Sequence, residues 1–235
     1  MRTIIFSDVH GEPSIITAVV EHSNYTPGVD RLIFAGDAIG IGRDSLGCLQ
    51  LLGELGAECL VGNHEFMAAI GDPLECHGLA ADDVARLREG IQSGRWRLAT
   101  QADGVLITHG GLGITYLKRY RRAGSLSALI HSLNAELKSA LAHGVSFTNE
   151  LAYDSDGPLW WRPGWSSEPL PEVVQVVGHT PPELPAHWSP GVEWSQRGIH
   201  LVDPYVRDWV RRGFQPPVPL RYAVIEGGAV SVIHA

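Results

Sequence analysis

The first hundred residues alternate strand-like and helix-like runs, and that alternation limits the folds open to this chain more than any other feature. Thr3-Ile4-Ile5-Phe6 is a short, continuous apolar run of the kind a buried strand needs. Pro13 then opens a helical stretch through Ile15, Ile16, Val19 and Val20, with proline where a first turn has no N–H bond to lose. Residues 30–35 read as a second strand, and Asp44 or Ser45 begins a second helix with Leu46, Leu49, Leu52 and Leu55 on one stripe. Residues 58–61 read as a third strand. Successive β-α-β units pack back onto one sheet through crossover helices, so this rhythm predicts parallel pairing in an α/β layer.

Beyond residue 95 the rhythm changes. Residues 96–99 and 104–108 read as strands paired around a turn at Ala102-Asp103-Gly104. A helix over about residues 125–142 gathers Leu126, Leu129, Ile130, Leu133, Leu137 and Leu141 into one band. Strands return at 173–177, 199–202, 222–226 and 229–233, the last two a hairpin across Gly227-Gly228. Proline and tryptophan crowd residues 158–194, which read as ordered loops over a site. No repeat or linker divides the 235 residues, so a single domain over 1–235 is expected, with a helical cap inserted around 112–156.

A hydrophobic content of 44% and a charged content of 19% are those of a globular chain with a sizeable core. No apolar run approaches a membrane span, and the chain enters its first strand without a signal-like segment, so a cytoplasmic protein is expected. The net charge of −8 weighs against broad attraction to nucleic acid or anionic lipid. Two basic clusters, at 118–122 and 207–212, read as solvated faces or the rim of a phosphate site. Cys48, Cys59 and Cys76 show neither disulfide nor zinc spacing. The first two sit among aliphatic residues as small hydrophobes, and Cys76 beside His77 is a loop pair without partners.

The chemistry lies in five short motifs that fall in order: Asp8-Val9-His10, Gly36-Asp37, Gly62-Asn63-His64-Glu65, His109-Gly110-Gly111 and Gly178-His179-Thr180. Almost all follow runs of β-branched and aliphatic residues, so they bring carboxylate, carboxamide and imidazole groups to strand ends, a donor set suited to divalent metals. Asp8 and His10, two apart, turn to the same side and can share a cation. Asp37 has two oxygens and can bridge. The set divides into Asp8, His10 and Asp37 around one ion, and Asp37, Asn63, His109 and His179 around another. Two divalent ions roughly 3.5–4 Å apart can clamp a phosphoryl oxygen and activate a water for in-line attack. His64, adjacent to Asn63, is assigned to the substrate side, where imidazole suits a general acid near neutral pH. Arg43 and Arg162 offer forked donors for the remaining phosphate oxygens. Each motif alone is commonplace; five in a fixed order are not.

The ordered set resembles the calcineurin-like metallophosphoesterase superfamily over nearly the whole chain. Asp8-Val9-His10-Gly11, Gly62-Asn63-His64-Glu65, His109-Gly110-Gly111 and Trp161-Arg162 are similar to its phosphoprotein phosphatase branch, which includes bacterial serine/threonine phosphatases and diadenosine tetraphosphate hydrolases. The resemblance implies two packed mixed β-sheets flanked by helices, with a dinuclear site at the strand ends. It implies hydrolysis of a phosphorylated substrate, a phosphoprotein or a nucleotide. The oxygen and nitrogen ligand set suits manganese, the expected metal, or else iron, zinc, cobalt or nickel. One motif departs. The branch reads Gly-Asp-x-Val-Asp-Arg-Gly where this chain has Gly36-Asp37-Ala38-Ile39-Gly40-Ile41-Gly42-Arg43. Gly40 stands where an Asp supporting the catalytic His belongs and Ile41 where a phosphate-binding Arg belongs, so Arg43 and Asp44 become the substitutes to look for. A phosphomonoesterase similar to serine/threonine phosphatases is the first reading. A hydrolase of dinucleoside polyphosphates or nucleic-acid ends, with Trp160, Trp161, Trp165 or Trp188 stacking a base, is the second. The third is a metal-free interaction module on the same fold, which the complete ligand set argues against.

Overall fold

Alternating side chains within short strands divide the interior into layers. The computed structural model describes residues 1–72, 78–144 and 150–234, so Cys76 and His77 lie outside the described residues. Strand β1 (Thr3–Phe6) leads through helix α1 (Pro13–His22) to β2 (Arg31–Phe34), and α2 (Ser45–Glu54) leads on to β3 (Glu58–Leu60). The strands are parallel, with Thr3 opposite Arg31 and Ile33 opposite Glu58. Pro13 lies in the first turn of α1, and the Asp44 carboxylate accepts the Gly47 N–H at 2.7 Å to cap α2. Two helices that the periodicity does not single out follow, α3 (Asn63–Ile70) and α4 (Ala81–Ser93). Helix α3 is buried along its whole length, which removes the polar stripe that marks a helix in sequence.

The expected pairing of residues 96–99 with 104–108 needs correction. Strand β4 (Trp96–Arg97) joins β3 in parallel, Leu98 is fully buried, and only β5 (Ala99–Ala102) pairs antiparallel with β6 (Val105–Thr108). One extended stretch therefore serves two sheets. Helices α5 (Leu117–Ala123), α6 (Leu126–Ala140) and α7 (Glu150–Tyr153) come next. They are followed by β7 (Gln175–Val177), α8 (Glu183–Trp188), β8 (Ile199–Leu201), α9 (Val206–Arg211) and the hairpin β9 (Arg221–Glu226) with β10 (Ala229–His234). The six-stranded sheet runs β10-β9-β1-β2-β3-β4 and the four-stranded sheet β5-β6-β7-β8. Both are mixed: β9 is antiparallel to β1, and β5 to β6, while β6, β7 and β8 are parallel. The fold is thus two mixed sheets flanked by helices.

Ile5, Ile33 and Leu60 of the first sheet meet Ile107 and Val176 of the second, and Val202 just past it, between the layers. Their neighbours Ile4, Phe6, Leu32 and Phe34 turn outward to α1, α2 and Trp209 of α9. Beyond the second sheet, Ala99 and Leu106 pack with Leu87 and Ile91 of α4 and with Leu129, Leu133 and Leu137 of α6. Each such leucine contributes about 1.5–3 kcal/mol on burial, so α6 is bound into the main core. The C-terminal part of segment 112–156, at Tyr153 and Ser155, comes beside Trp160 and Arg162. Cys48 and Cys59 are buried, and burial pushes both thiols up, that of Cys59 to about 12.

Candidate metal centre

Chain segments just past β1, β2, β3, β6 and β7 converge at one edge of the sandwich. Asp8 and His10 follow β1, Asp37 follows β2, Asn63 opens α3 after β3, His109 follows β6 and His179 follows β7. Asp8, His10, Asp37 and His179 all have positive φ, from 45° to 62°, a region that costs a residue with a Cβ. Glycine makes the convergence possible. A methyl group on Gly62 would collide with the Asp37 carboxylate, and one on Gly178 with that of Asp8.

His109 Nδ1–H donates a hydrogen bond to the Ala35 carbonyl at 2.9 Å, which leaves His109 Nε2 as the nitrogen facing the site. That nitrogen is 3.0 Å from Asn63 Oδ1, 3.2 Å from His179 Nδ1 and 3.4 Å from Asp37 Oδ2. Lone pairs of four groups thus meet, an arrangement that calls for a positive charge at its centre. Burial opposes charging His109, but Asp37 overrides burial and lifts the imidazole to about 9. On the other side, His10 Nε2 lies 3.8 Å from Asp8 Oδ1 and 3.7 Å from Asp37 Oδ2. Burial pushes His10 down to about 4, so it presents a neutral ring. Burial raises Asp8 to about 6. Burial also acts to raise Asp37, yet His109, His64 and His10 hold it well below the usual carboxylate range. Asp37 Oδ2 is the atom common to both groups.

These residues fit two divalent cations with nitrogen and oxygen donors. All six expected ligands are brought together, and His64 joins them. Its Nε2 is 3.8 Å from Asp37 Oδ2, and its ring centroid 4.9 Å from that of His10. Arg162 also lines the cleft, donating from Nη1 to the His179 carbonyl at 2.5 Å and to Thr180 Oγ1 at 3.4 Å.

Arg43 is not brought to the cleft. Its guanidinium carbon stacks 3.5 Å from the Phe214 ring centroid, and its Nε is 3.5 Å from Glu12. Asp44 is committed to capping α2. At Gly40 a Cβ would collide with the His10 ring, so the loop as packed admits no side chain at the position where the branch carries an Asp.

Sequence reasoning assigned no role to Glu65, Asp203 or Tyr205, and read Arg207 only as part of a basic cluster on a solvated face or the rim of a phosphate site. Glu65 is fully buried and accepts the N–H groups of Asp37 (2.8 Å), Gly62 (2.8 Å) and Ile39 (3.0 Å). Its place three residues after Gly62 is the capping-box spacing, which was the available signal. Asp203, Tyr205 and Arg207 line the cleft past β8. Asp203 is buried, and that burial, with the charge of Asp8, pushes its carboxyl well above the usual range. Its position after a strand of the same sheet was its signal. Glu65→Gln turns an amide N–H toward backbone donors and is expected to destabilise the protein by about 1–3 kcal/mol. Urea unfolding measures this, and an unchanged midpoint would count against Glu65 as the support of the Asp37 loop.

Residues 1–216 match the model of the calcineurin-like phosphoesterase family, and the chain belongs to that family. Over 64 residues it is 41% identical to serine/threonine-protein phosphatase 1 of Salmonella typhimurium (strain LT2), which covers 27% of this chain and 30% of that protein. Over 67 residues it is 37% identical to a symmetrical bis(5'-nucleosyl)-tetraphosphatase of a Marinomonas species, covering 28% of this chain and 24% of that one. The matched region is thus under a third of either relative. A cold-active protein-tyrosine phosphatase of a Shewanella species aligns over 98% of this chain and 80% of its own, with TM-score 0.63 and 18% identity. A protein serine/threonine phosphatase from Saccharomyces cerevisiae aligns over 100% and 80%, with TM-score 0.55 and 17% identity. These two structures share the fold.

Proposed function

We propose that this protein is a dinuclear-metal-dependent phosphomonoesterase of the kind that serine/threonine phosphatases represent. The observation that carries the reading is Asp37 Oδ2, placed between His10 on one side and His109 on the other. In this reading Asp8, His10 and Asp37 hold one cation, and Asp37, Asn63, His109 and His179 hold the second. Manganese is the proposed occupant, with iron, zinc, cobalt and nickel as alternatives that the same donors accept. Two such cations, when bound, supply Lewis acidity and lower the pKa of water. Arg162 holds phosphoryl oxygens with donors that its bonds to His179 and Thr180 leave over. Water adds to phosphorus, the bond from phosphorus to the alcohol oxygen breaks, and His64 gives that oxygen its proton.

The protein acts in this proposal as one domain, with the end of segment 112–156 flanking the substrate. No helix of the described residues is long and apolar enough to cross a membrane, and a cytoplasmic location completes the proposal. A nucleotide hydrolase is the second reading, favoured by the aromatic side chains beside the cleft.

Hydrolysis of p-nitrophenyl phosphate, bis-p-nitrophenyl phosphate, a phosphoserine peptide and diadenosine tetraphosphate, with each metal in turn, tests the reading. The expected result is metal-dependent release of phosphate, with monoesters ahead of diesters. A folded protein that binds metal and hydrolyses none of the four would end the proposal. One that binds no metal would restore the interaction-module reading.

A further inference from the structure

Beside the metal cleft lies a second hollow of about 360 Å³, lined by Tyr153, Ser155, Trp160, Arg162, Trp165 and Ser166. Trp160 and Arg162 line both spaces, so whatever occupies one is within reach of the other. The hollow has three aromatic rings, one of them the Tyr153 phenol, with one cation and two serine hydroxyls. Ser166 Oγ is occupied, accepting from Arg162 N at 3.0 Å and donating to the Ser155 carbonyl at 2.7 Å. Trp165 is 72% exposed, far beyond what a core tryptophan would show, and its position is supported by Trp188, with ring centroids 5.4 Å apart. Trp161, next to Trp160 in sequence, is fully buried and takes no part.

An exposed indole held by a second indole is a stacking platform. It stands next to an arginine whose Nη1 is fixed on the backbone of His179, a proposed metal ligand. A phosphoryl group in the cleft would place its organic substituent across Arg162 toward those rings. A small aliphatic alcohol would leave the rings in water, whereas a flat ring would cover them.

We infer that this hollow is a subsite for a planar aromatic group carried on the phosphate, a nucleobase or a phenyl ring, and that Trp165 is its selectivity-determining residue. The inference rests on the phosphoesterase reading for the position of the phosphate, and departs from its serine/threonine form in naming an aromatic substituent.

The test is binding to the metal-loaded protein, measured by calorimetry with phosphonates, whose P–C bond resists hydrolysis. Phenylphosphonate and the methylene phosphonate analogue of AMP are compared with methylphosphonate. At least one aromatic ligand is expected to bind roughly 5- to 150-fold more tightly than methylphosphonate, the range of a stacking contact. Which of the two leads names the source of the ring. Trp165→Ala should collapse that ratio toward one, and Trp165→Phe should keep most of it. Equal affinities in the wild-type protein, or a preference that survives Trp165→Ala, would overturn the subsite. Turnover is not the readout, so a protein that hydrolyses nothing would defeat the phosphatase proposal without deciding this one.

Discussion

Asp37→Asn is expected to reduce turnover by at least about 10³-fold and to lower bound metal from two ions toward none. The reason is the placement of one atom. Asp37 Oδ2 is 3.7 Å from His10, 3.8 Å from His64 and 3.4 Å from His109, so it is the one anionic oxygen that both candidate clusters share. A carboxamide keeps the size and the Oδ1 position that accepts the His64 N–H at 3.2 Å, so the loop has little reason to rearrange. What changes is charge: a neutral oxygen or an N–H group faces three imidazoles and any cation between them. Elemental analysis of the purified variant, beside p-nitrophenyl phosphate turnover, measures both effects. Two ions retained with more than a tenth of the activity would remove Asp37 from the bridging position.

His64→Asn is expected to leave the metals in place and to slow cleavage of alkyl phosphates by about 10²- to 10⁴-fold. The effect should shrink with p-nitrophenyl phosphate, because nitrophenolate departs as a stable anion and needs no proton. That contrast is the informative part, since a merely structural residue would slow both substrates alike. Geometry leaves a competitor: His64 stands within ligand distance of His10 and Asp37. A His64→Asn protein that loses an ion and slows both substrates equally would make His64 a ligand instead of an acid.

Much of this was legible because the candidate metal-binding residues sit within one to four positions of strand ends, where short loops leave the chain little freedom. Asp8, Asp37, His109 and His179 followed from that, and so did the parallel strands. Other features failed for identifiable reasons. The stretch around Leu98 reads as one strand, but its two halves pair in different sheets, and pairing is not a local property. Helix α3 has no polar face to give it away. Arg43 shares a motif with Asp37, yet proximity in sequence did not settle which way its side chain turns, and Phe214, far along the chain, did. Asp203 precedes a proline and reads as a turn until β8 is placed beside β7.

The division of the site between the sheets has a mechanical meaning. Asp8, Asp37 and Asn63 come from the six-stranded sheet, while His109 and His179 come from the four-stranded one. Where they meet, the protein already ties the layers together with hydrogen bonds, among them His179 N to Asp8 Oδ2 at 2.9 Å and His109 Nδ1 to the Ala35 carbonyl at 2.9 Å. A cation held by residues of both sheets would act there as a rivet through the sandwich, and separating the layers would mean giving it up. If the proposed ions bind, resistance to unfolding is therefore expected to rise with their concentration, and metal scarcity would reach the protein as fragility as well as loss of the proposed activity.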